Sequence, residues 1–494
     1  MHRLLKGGEF LSRDAAAPIL AALRSYRGDV IDLEAGSSVH GPALSSAADQ
    51  ITHRLVVLGL AAGDRVVLSV GNGPAFIAAL CGTLAAGGTP LLLHGDTPAS
   101  ELYRFAHGYT ARWLLTERPL VAESIRHSGI PDWLQLHTTV LRPSPISPTY
   151  PNVTGATLHP TSGTTGQAKI AVRTALQSAE EGRHYIDTMQ ITASDRILCV
   201  VPMSHAYGFG MGFMVPLLSG ATLVTTRQFN PRNIPRVLAD ERITIFPAVP
   251  AMLELLLRAG LDGAPLPRLV LAAGAPLAET TATAFRQQTG IPITPLYGTT
   301  ETGGITVAVG EVETLSTGCV GRPMPGVEAQ VTAIRDAAEL PTGVGRVSIR
   351  SSSMMSGYLT PDGIDASAIH EGFFATGDLG RLDPSGRIQI VGRDKEIINV
   401  FGLKVVPSEV EEVIAALAGV REVKVYAGTH RSGSELVKAA VASEKNADQA
   451  AIDAAQVRAH CEAHLPPYKR PQVIHLVAAL PRTPTGKIIR DQLP

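Results

Sequence analysis

A run of small hydroxyl and glycine residues that ends in a lysine has the clearest capacity for chemistry in this sequence. It reads Thr161-Ser162-Gly163-Thr164-Thr165-Gly166-Gln167-Ala168-Lys169 and follows a short apolar stretch. In such a loop, backbone N–H and side-chain O–H groups can surround phosphate oxygens, and the lysine adds a mobile positive charge. The spacing does not match G-x-x-x-x-G-K-[ST], so a P-loop NTPase is excluded. The run predicts a phosphate loop of another kind, with a flexible Ser/Thr/Gly linker as the alternative interpretation.

Further short motifs follow this loop in a fixed order. They are Val201-Pro202-Met203-Ser204-His205-Ala206-Tyr207-Gly208, Ala273-Gly274-Ala275-Pro276-Leu277, Tyr297-Gly298-Thr299-Thr300-Glu301, Thr376-Gly377-Asp378, Gly392-Arg393-Asp394 and Pro484-Thr485-Gly486-Lys487. Each is a weak signal alone, but the ordered set is specific. From end to end the chain resembles the adenylate-forming superfamily of acyl-CoA synthetases, peptide-synthetase adenylation domains and luciferases. In its motifs it is closest to the acid–CoA ligases.

The resemblance implies an enzyme that uses ATP and Mg²⁺ to activate a carboxylic acid as its acyl-AMP and then transfers the acyl group to a thiol. It also implies that Thr161 and Glu301 hold the Mg²⁺, a hard cation that prefers oxygen ligands. Attack of a carboxylate on the α-phosphate brings negative charges together, so fixed cations and N–H dipoles matter more than an acid or a base. Lys487 is expected to supply the key mobile cation.

The nucleotide contacts are also taken from the resemblance. Asp378 is expected to accept both ribose hydroxyls, and Arg393 to contact ribose or phosphate. Adenine is expected between the segment 273–276 and Tyr297. The full predicted set is Thr161, Ser162, Gly163, Thr164, Thr165, Gly166, Lys169, Ala273, Gly274, Ala275, Pro276, Tyr297, Gly298, Thr299, Asp378 and Arg393.

The acyl and thiol sites follow in the same way. The resemblance places His205 and Tyr207 beside the acyl group and Gly402 beside the thiol channel. Gly303 and Gly304 follow Glu301, and their small size predicts room for an aryl or medium-length aliphatic acid. The predicted catalytic residues are Lys487, Glu301, Thr300 and His205.

An α-amino acid is a disfavoured substrate, because relatives that activate amino acids have an aspartate where this chain reads Ser-His-Ala-Tyr-Gly-Phe. Free coenzyme A is the expected acceptor, since no Ser-bearing carrier helix follows the last motif. The phosphopantetheine arm of a separate carrier protein offers the same thiol, and an amine acceptor would make the enzyme an amide synthetase. A silent binding homologue that keeps only the fold is the non-enzymatic alternative.

The hydrophobic pattern predicts an α/β protein. Short β-branched runs such as residues 65–70, 89–93 and 196–203 alternate with Ala-rich helical stretches, which is typical of mostly parallel sheets covered by helices. From about residue 318, short alternating strands separated by glycine turns predict a small barrel-like subdomain. The resulting expectation is an N-terminal adenylation domain over 1–393 and a small mobile α+β domain over 394–494, with Asp394 as the hinge that the resemblance implies.

The sequence departs from the family pattern at five positions. Pro160, Ala168 and Ile170 lie in or beside the phosphate loop, where an aromatic residue, a proline and a glycine are usual, and Asn399 and Arg346 replace a lysine and a frequent glutamate. The first three predict a differently shaped loop, and the last two leave the choice of acceptor open.

Bulk properties narrow the remaining possibilities. The 494 residues carry a net charge of −1, so no overall positive field exists to hold nucleic acid. The four cysteines form no CxxC pair, which favours a reducing, cytoplasmic environment. No apolar stretch reaches the length of a membrane span, and the start lacks the apolar core of an export signal.

Overall fold

The computed structural model describes most of the chain. The described residues are 13–127, 131–142, 150–161, 168–261, 265–311, 318–334, 342–400, 403–429, 435–443, 452–482 and 488–494. They belong to two compact units. The first unit is formed by Met1–Thr314, Pro323–Glu328 and Arg350–Phe374, and the second by Leu315–Arg322, Ala329–Ile349 and Ala375–Pro494.

The described residues form twelve α-helices. These are α1 Ala17–Ser25, α2 Gly41–Val57, α3 Pro74–Ala85, α4 Ala99–Gly108, α5 Ala175–Met189, α6 Ala206–Phe209, α7 Val215–Ser219, α8 Ile234–Asp240, α9 Pro250–Ala259, α10 Glu279–Thr289, α11 Pro407–Ala415 and α12 Ala454–His464. Helix α5 begins with a capping box, because the Thr174 hydroxyl accepts from the Gln177 N–H while the Gln177 side chain accepts from the Thr174 N–H. Asp453 and Gln456 start α12 in the same way.

The same residues form twenty-eight strands. These are β1 Asp29–Asp32, β2 Ser37–His40, β3 Arg65–Ser69, β4 Thr89–Leu93, β5 Trp113–Thr116, β6 Ile125–Arg126, β7 His137–Val140, β8 Ala156–Thr161, β9 Lys169–Thr174, β10 Arg196–Cys199, β11 Thr222–Thr225, β12 Ile245–Ala248, β13 Leu269–Ala272, β14 Ile293–Thr299, β15 Gly303–Val307, β16 Cys319–Gly321, β17 Val327–Ala333, β18 Gly345–Ser351, β19 Gly357–Thr360, β20 Gly363–Asp365, β21 Ile369–His370, β22 Phe373–Leu382, β23 Ile388–Arg393, β24 Ile398–Val400, β25 Leu403–Val405, β26 Val420–Thr429, β27 Glu435–Ser443 and β28 Val473–Val477.

Two large sheets build the first unit. One has the order β15-β14-β13-β12-β10-β11-β1-β2 and is parallel from β14 to β1, with an antiparallel strand at each edge. The other has the order β20-β19-β9-β8-β4-β3-β5-β7-β6 and is parallel from β8 to β5. Central strands such as β3, β4 and β12 are buried at every position, as expected for parallel strands covered on both faces. The predicted α/β class is confirmed.

The main core of the first unit lies where α2 and α3 pack against these sheets. Helix α3 is apolar on all sides, and every residue from Pro74 to Leu84 is buried. Gly82 permits the close approach of α2, because a Cβ there would lie 2.8 Å from the Ala48 carbonyl oxygen. Among the described residues, no helix has both the length and the apolar character needed to cross a membrane.

The second unit is built from smaller sheets. A six-stranded sheet has the main path β16-β23-β22-β18-β17, with β21 paired to β22. A ribbon joins β24 to β25, and a three-stranded sheet has the order β26-β27-β28. Val410 and Ile414 of α11 and Val457 and Cys461 of α12 pack into a core with the three-stranded sheet. The region predicted to be barrel-like is confirmed as rich in strands, and the region predicted to be α+β is confirmed as containing both helices and strands. The hinge at Asp394 stays a prediction.

Candidate active site

The two ends of the predicted phosphate loop are held together by a β-hairpin. Thr161 is the last residue of β8 and lies opposite Lys169, the first residue of β9. The Thr161 hydroxyl donates a hydrogen bond of 3.2 Å to the Lys169 carbonyl oxygen. Thr161 is partly buried and Lys169 is exposed, so the ammonium group can reach a ligand at the mouth of the hairpin.

The three unusual residues beside this loop have local structural roles. Ile170 is fully buried in the apolar cluster beneath β9, where a glycine would leave a gap. Pro160 lies opposite Ile170, beyond Leu158, the position at which β8 pairs with β4, so its missing N–H removes no bond from that ladder. The Ala168 carbonyl accepts from the Tyr109 hydroxyl.

Two predicted nucleotide-binding segments lie at the ends of neighbouring strands. Residues 273–276 follow β13, and Tyr297, Gly298 and Thr299 are the last three residues of β14, which is parallel to β13. Because the carboxyl ends of parallel strands meet at one edge of a sheet, these segments share that edge. Glu301 follows in the turn between β14 and β15, where the Thr299 hydroxyl accepts from the Thr302 N–H at 3.1 Å.

Tyr358 of β19 contacts both Lys169 and Glu301. Its hydroxyl donates a 2.8 Å hydrogen bond to Glu301 Oε1, and Lys169 Nζ lies 4.8 Å from the centre of its ring. The structure therefore brings the hairpin of Thr161 and Lys169 to the turn of Glu301 through one aromatic side chain. A threonine hydroxyl and a carboxylate are oxygen donors of the kind that Mg²⁺ takes together with phosphate oxygens, so this donor set fits the metal.

The segment with His205 is a turn leading into α6. Asn72 holds it, because its Nδ2 donates to the Val201 carbonyl at 3.0 Å and its Oδ1 accepts from the Met203 N–H at 2.7 Å. His205 is exposed, and its carbonyl accepts from the Phe209 N–H at 2.7 Å. Tyr207 packs against the main core, and burial raises the pKa of its hydroxyl.

His159 connects the phosphate-loop strand to the helix that follows His205. Its ring meets the Phe209 ring edge-on at a centroid distance of 5.0 Å, and its Nε2 lies 2.8 Å from the Thr157 hydroxyl. Burial, with the positive charge of Arg173 and the proximity of His205, lowers the pKa of His159 well below the usual histidine value. A neutral, fixed ring thus supports the predicted acyl-site helix.

Gly303 and Gly304 pack against side chains of α5. A Cβ on Gly304 would lie 2.5 Å from the Tyr185 ring, and one on Gly303 would lie 3.0 Å from the Glu181 carboxylate. The Gly304 N–H donates to Glu181 Oε1 at 3.0 Å. Packing inside the unit therefore already requires both glycines, and their assignment to an acyl pocket stays a prediction.

The second unit brings together two other predicted nucleotide contacts. Asp378 and Arg393 lie opposite each other on β22 and β23, and Arg393 Nε is 2.9 Å from Asp378 Oδ1. Asp394, the predicted hinge, pairs with Arg346 at 2.7 Å. The unusual arginine at position 346 thus has a partner within this unit. The Asn399 N–H donates to the Glu435 carboxylate.

Several predicted site residues lie outside the described residues. They are Ser162, Gly163, Thr164, Thr165 and Gly166 of the phosphate loop, Gly402 of the thiol channel and the catalytic Lys487.

Comparison with protein families supplies the deciding observation. A family model described as AMP-binding enzyme matches residues 30–359, and one described as AMP-binding enzyme C-terminal domain matches residues 409–487. The chain belongs to the AMP-binding enzyme family. The predicted resemblance to adenylate-forming enzymes is confirmed.

Two curated relatives of this AMP-binding enzyme align with it over nearly their whole length. It is 28% identical over 467 residues to the long-chain-fatty-acid–CoA ligase FadD13 of Mycobacterium tuberculosis, covering 91% of each chain. It is 30% identical over 481 residues to the sulfoacetate–CoA ligase of Cupriavidus necator, covering 93% of each. The crystal structure of ATP-bound MatB from Rhodopseudomonas palustris superposes with a TM-score of 0.81 at 26% identity, covering 97% of this chain and 98% of that one.

Sequence motifs did not reveal every residue that shapes the site of this AMP-binding enzyme. Tyr358, Asn72 and the buried pair of Arg173 and Glu181 belong to none of the recognised motifs. Tyr358 follows a glycine in a short strand, a pattern without local chemical meaning. Only the pairing of β19 with β9 places its ring beside Lys169.

Proposed function

We propose that the protein is an AMP-forming acid–thiol ligase that activates a carboxylic acid with ATP and passes the acyl group to coenzyme A. The observation that carries the proposal is the contact of Tyr358 with both Lys169 and Glu301, with Thr161 opposite Lys169 in the same hairpin, in a chain of the AMP-binding family. The names of FadD13 and the sulfoacetate enzyme support an acid–CoA ligase, and the ATP-bound MatB structure supports the nucleotide.

In the first half-reaction, a carboxylate oxygen of the acid attacks the α-phosphorus of ATP, and pyrophosphate leaves with the electron pair of the broken P–O bond. Lys169 and the hairpin amides would hold the phosphates, while Lys487 would hold the carboxylate against the phosphorus. Thr161 and Glu301 would hold Mg²⁺, which would supply positive charge to the phosphates. Asp378 would fix the ribose through its hydroxyls, with Arg393 beside it.

In the second half-reaction, the thiol sulfur attacks the acyl carbonyl carbon, the C–O bond to AMP breaks, AMP leaves with its electron pair, and the thiol proton passes to solvent. We place the thiol channel beside Gly402 and the domain rotation that admits the thiol at Asp394. His205 and Tyr207 would border the acyl group. A thiol attacks faster as its thiolate, so the second step should accelerate with rising pH more than the first.

The identity of the acid is the finer part of the proposal. The Ser-His-Ala-Tyr-Gly-Phe segment lacks the aspartate that would pair an α-ammonium group, so we propose an aryl or medium aliphatic acid. The two named ligases take a long-chain fatty acid and sulfoacetate, so relatives do not narrow this choice.

Pyrophosphate release is the decisive test. The purified protein, ATP and Mg²⁺ are mixed with aryl, fatty, dicarboxylic and amino acids, with and without coenzyme A. Release that depends on an acid and increases with coenzyme A supports the ligase. Mass analysis with a carrier protein or an amine as acceptor tests the other two products. If no acid causes the release of pyrophosphate from ATP, the proposal is contradicted.

A further inference from the structure

Tyr358 contacts two predicted ATP-site residues through different parts of its side chain. Its hydroxyl donates to Glu301 Oε1 at 2.8 Å, and its ring lies under the Lys169 ammonium at 4.8 Å. We infer that Tyr358 is a positioning residue that holds the Glu301 carboxylate ready for the Mg²⁺ of Mg·ATP. This inference rests on the proposed function, which makes Glu301 a metal ligand.

The backbone around Tyr358 fixes the distance over which its hydroxyl must reach. The Met355 N–H donates to the Glu301 carbonyl at 2.7 Å, and the Ser353 hydroxyl donates to the Thr302 carbonyl at 2.8 Å. On the other side, the Ser356 N–H donates to the Val172 carbonyl of β9 at 2.9 Å. The segment 353–358 therefore joins the turn of Glu301 to the phosphate-loop hairpin.

Strand pairing directs the Tyr358 ring toward Lys169. Tyr358 lies opposite Ala171 on β9. Alternate residues of a strand share a face, so Lys169 projects on the same side as Ala171 and can reach diagonally over the ring. A cation above an aromatic face is attracted by the ring quadrupole. The ring thus holds the Lys169 ammonium near the Glu301 carboxylate. A bound phosphate can then attract the ammonium away from the ring.

The hydroxyl has a separate effect on the carboxylate. A glutamate side chain has several rotamers, and one hydrogen bond from a fixed donor selects among them before the metal arrives. Occupation of one lone pair of Oε1 leaves Oε2 as an oxygen donor for a cation. A tyrosine hydroxyl ordinarily ionises only at about pH 10, so at neutral pH it is a donor. Groups that hydrogen-bond to metal ligands in this way commonly change metal affinity about tenfold or more when removed.

A purely structural role for Tyr358 is the competing explanation. Its ring packs beside Ala171, Met355 and Phe374, so removal of the whole side chain would disturb that cluster. Tyr358→Phe keeps the ring, the packing and the Lys169 contact, and removes only the hydroxyl. Tyr426→Phe is the matched control, because it removes a tyrosine hydroxyl that donates to the Pro494 carbonyl in the second unit.

The test is calorimetric titration of ATP into the protein at a series of Mg²⁺ concentrations, without any acid. Wild type, Y358F, Y426F and E301Q are compared, and the thermal midpoint of each is recorded. For Y358F we expect the Mg²⁺ concentration that gives half of the metal-dependent gain in ATP affinity to rise about tenfold. We expect metal-free ATP affinity and the thermal midpoint to match those of Y426F.

E301Q separates failure of the inference from failure of the proposed function. If E301Q abolishes the Mg²⁺ dependence while Y358F matches wild type, Tyr358 does not position the ligand and the inference is overturned alone. If E301Q keeps the full Mg²⁺ dependence, Glu301 is not a metal ligand, and both the inference and that part of the proposed function are overturned. If Y358F melts at a lower temperature than wild type but keeps the wild-type Mg²⁺ dependence, the role of Tyr358 is structural and the inference is overturned.

Discussion

Arg393 and Asp378 form an ion pair across two neighbouring strands, with Arg393 Nε 2.9 Å from Asp378 Oδ1. The aspartate side chain is 4% exposed and the arginine side chain is 58% exposed. The carboxylate is therefore held at the base of the pair, while part of the guanidinium faces solvent. A fixed carboxylate of this kind suits the recognition of two adjacent sugar hydroxyls, which both donate to it.

Asp378→Asn should weaken ATP and AMP binding by about tenfold to a hundredfold, because hydrogen bonds to a charged group contribute about 1.5–3 kcal/mol. Nucleotide titration measures the effect. Arg381→Lys provides the control on the same two strands, since Arg381 pairs with Gln389 at 2.7 Å and has no predicted nucleotide contact. Equal nucleotide affinities in D378N and R381K would remove Asp378 from the ribose site.

Lys487→Ala should lower the rate of acyl-AMP formation by at least about a hundredfold, because a fixed cation that stabilises the transition state is lost. ATP affinity should change little, since the lysine acts on the reacting carboxylate and phosphorus. Single-turnover formation of acyl-AMP is the measurement. Lys438→Ala is the control, because Lys438 lies on the three-stranded sheet of the second unit and has no predicted role in catalysis. Its Nζ lies 5.8 Å from the centre of the Tyr426 ring. Unchanged adenylation by K487A would eliminate the assigned role.

Strand positions followed from the sequence, whereas the contacts between distant segments did not. The run at residues 89–93 is β4, and the run at 65–70 contains β3, because β-branched and apolar runs of this length are buried strands. The meeting of Lys169, Glu301 and Tyr358 depends on which strands become neighbours, and local periodicity carries no such information. Gly304 is a second example, because the closeness of the Tyr185 ring to it could not be read from local sequence, and its assignment to an acyl pocket stays a prediction.

Glu181→Gln should destabilise the first unit by about 3–5 kcal/mol, because it leaves the buried Arg173 charge without its partner. Arg173 Nη1 and Glu181 Oε2 are 2.8 Å apart, and both side chains are almost completely buried. The neighbouring Glu180→Gln is the control. Glu180 pairs at the surface with Arg183, so its loss should cost under about 1 kcal/mol. Denaturant titration compares the two variants, and equal midpoints would contradict the importance of the buried pair.

The free energy of unfolding should fall in mildly acidic solution, in part because of His127. Burial, with the positive charges of Arg54 and His137, lowers the pKa of His127 to about 4, and its Nε2 lies 2.7 Å from the Thr138 hydroxyl. The unfolded chain binds a proton near the ordinary histidine pKa of about 6.5, and the folded chain does so only near the lowered value. The stability from the neutral ring is therefore complete above about pH 6.5 and is lost as the pH falls toward 4.

His127→Asn removes this titration and keeps a polar group beside Thr138. The stability difference between wild type and H127N should shrink by about 1 kcal/mol for each pH unit below about 6.5. Unfolding midpoints measured at half-unit intervals between neutral and acidic pH provide the comparison. Because the other buried histidines, His159 among them, titrate in both proteins, their contributions cancel in the difference. If the two proteins have parallel curves of stability against pH, His127 is protonated equally well in the folded and unfolded chains. That result would contradict the lowering of its pKa by burial.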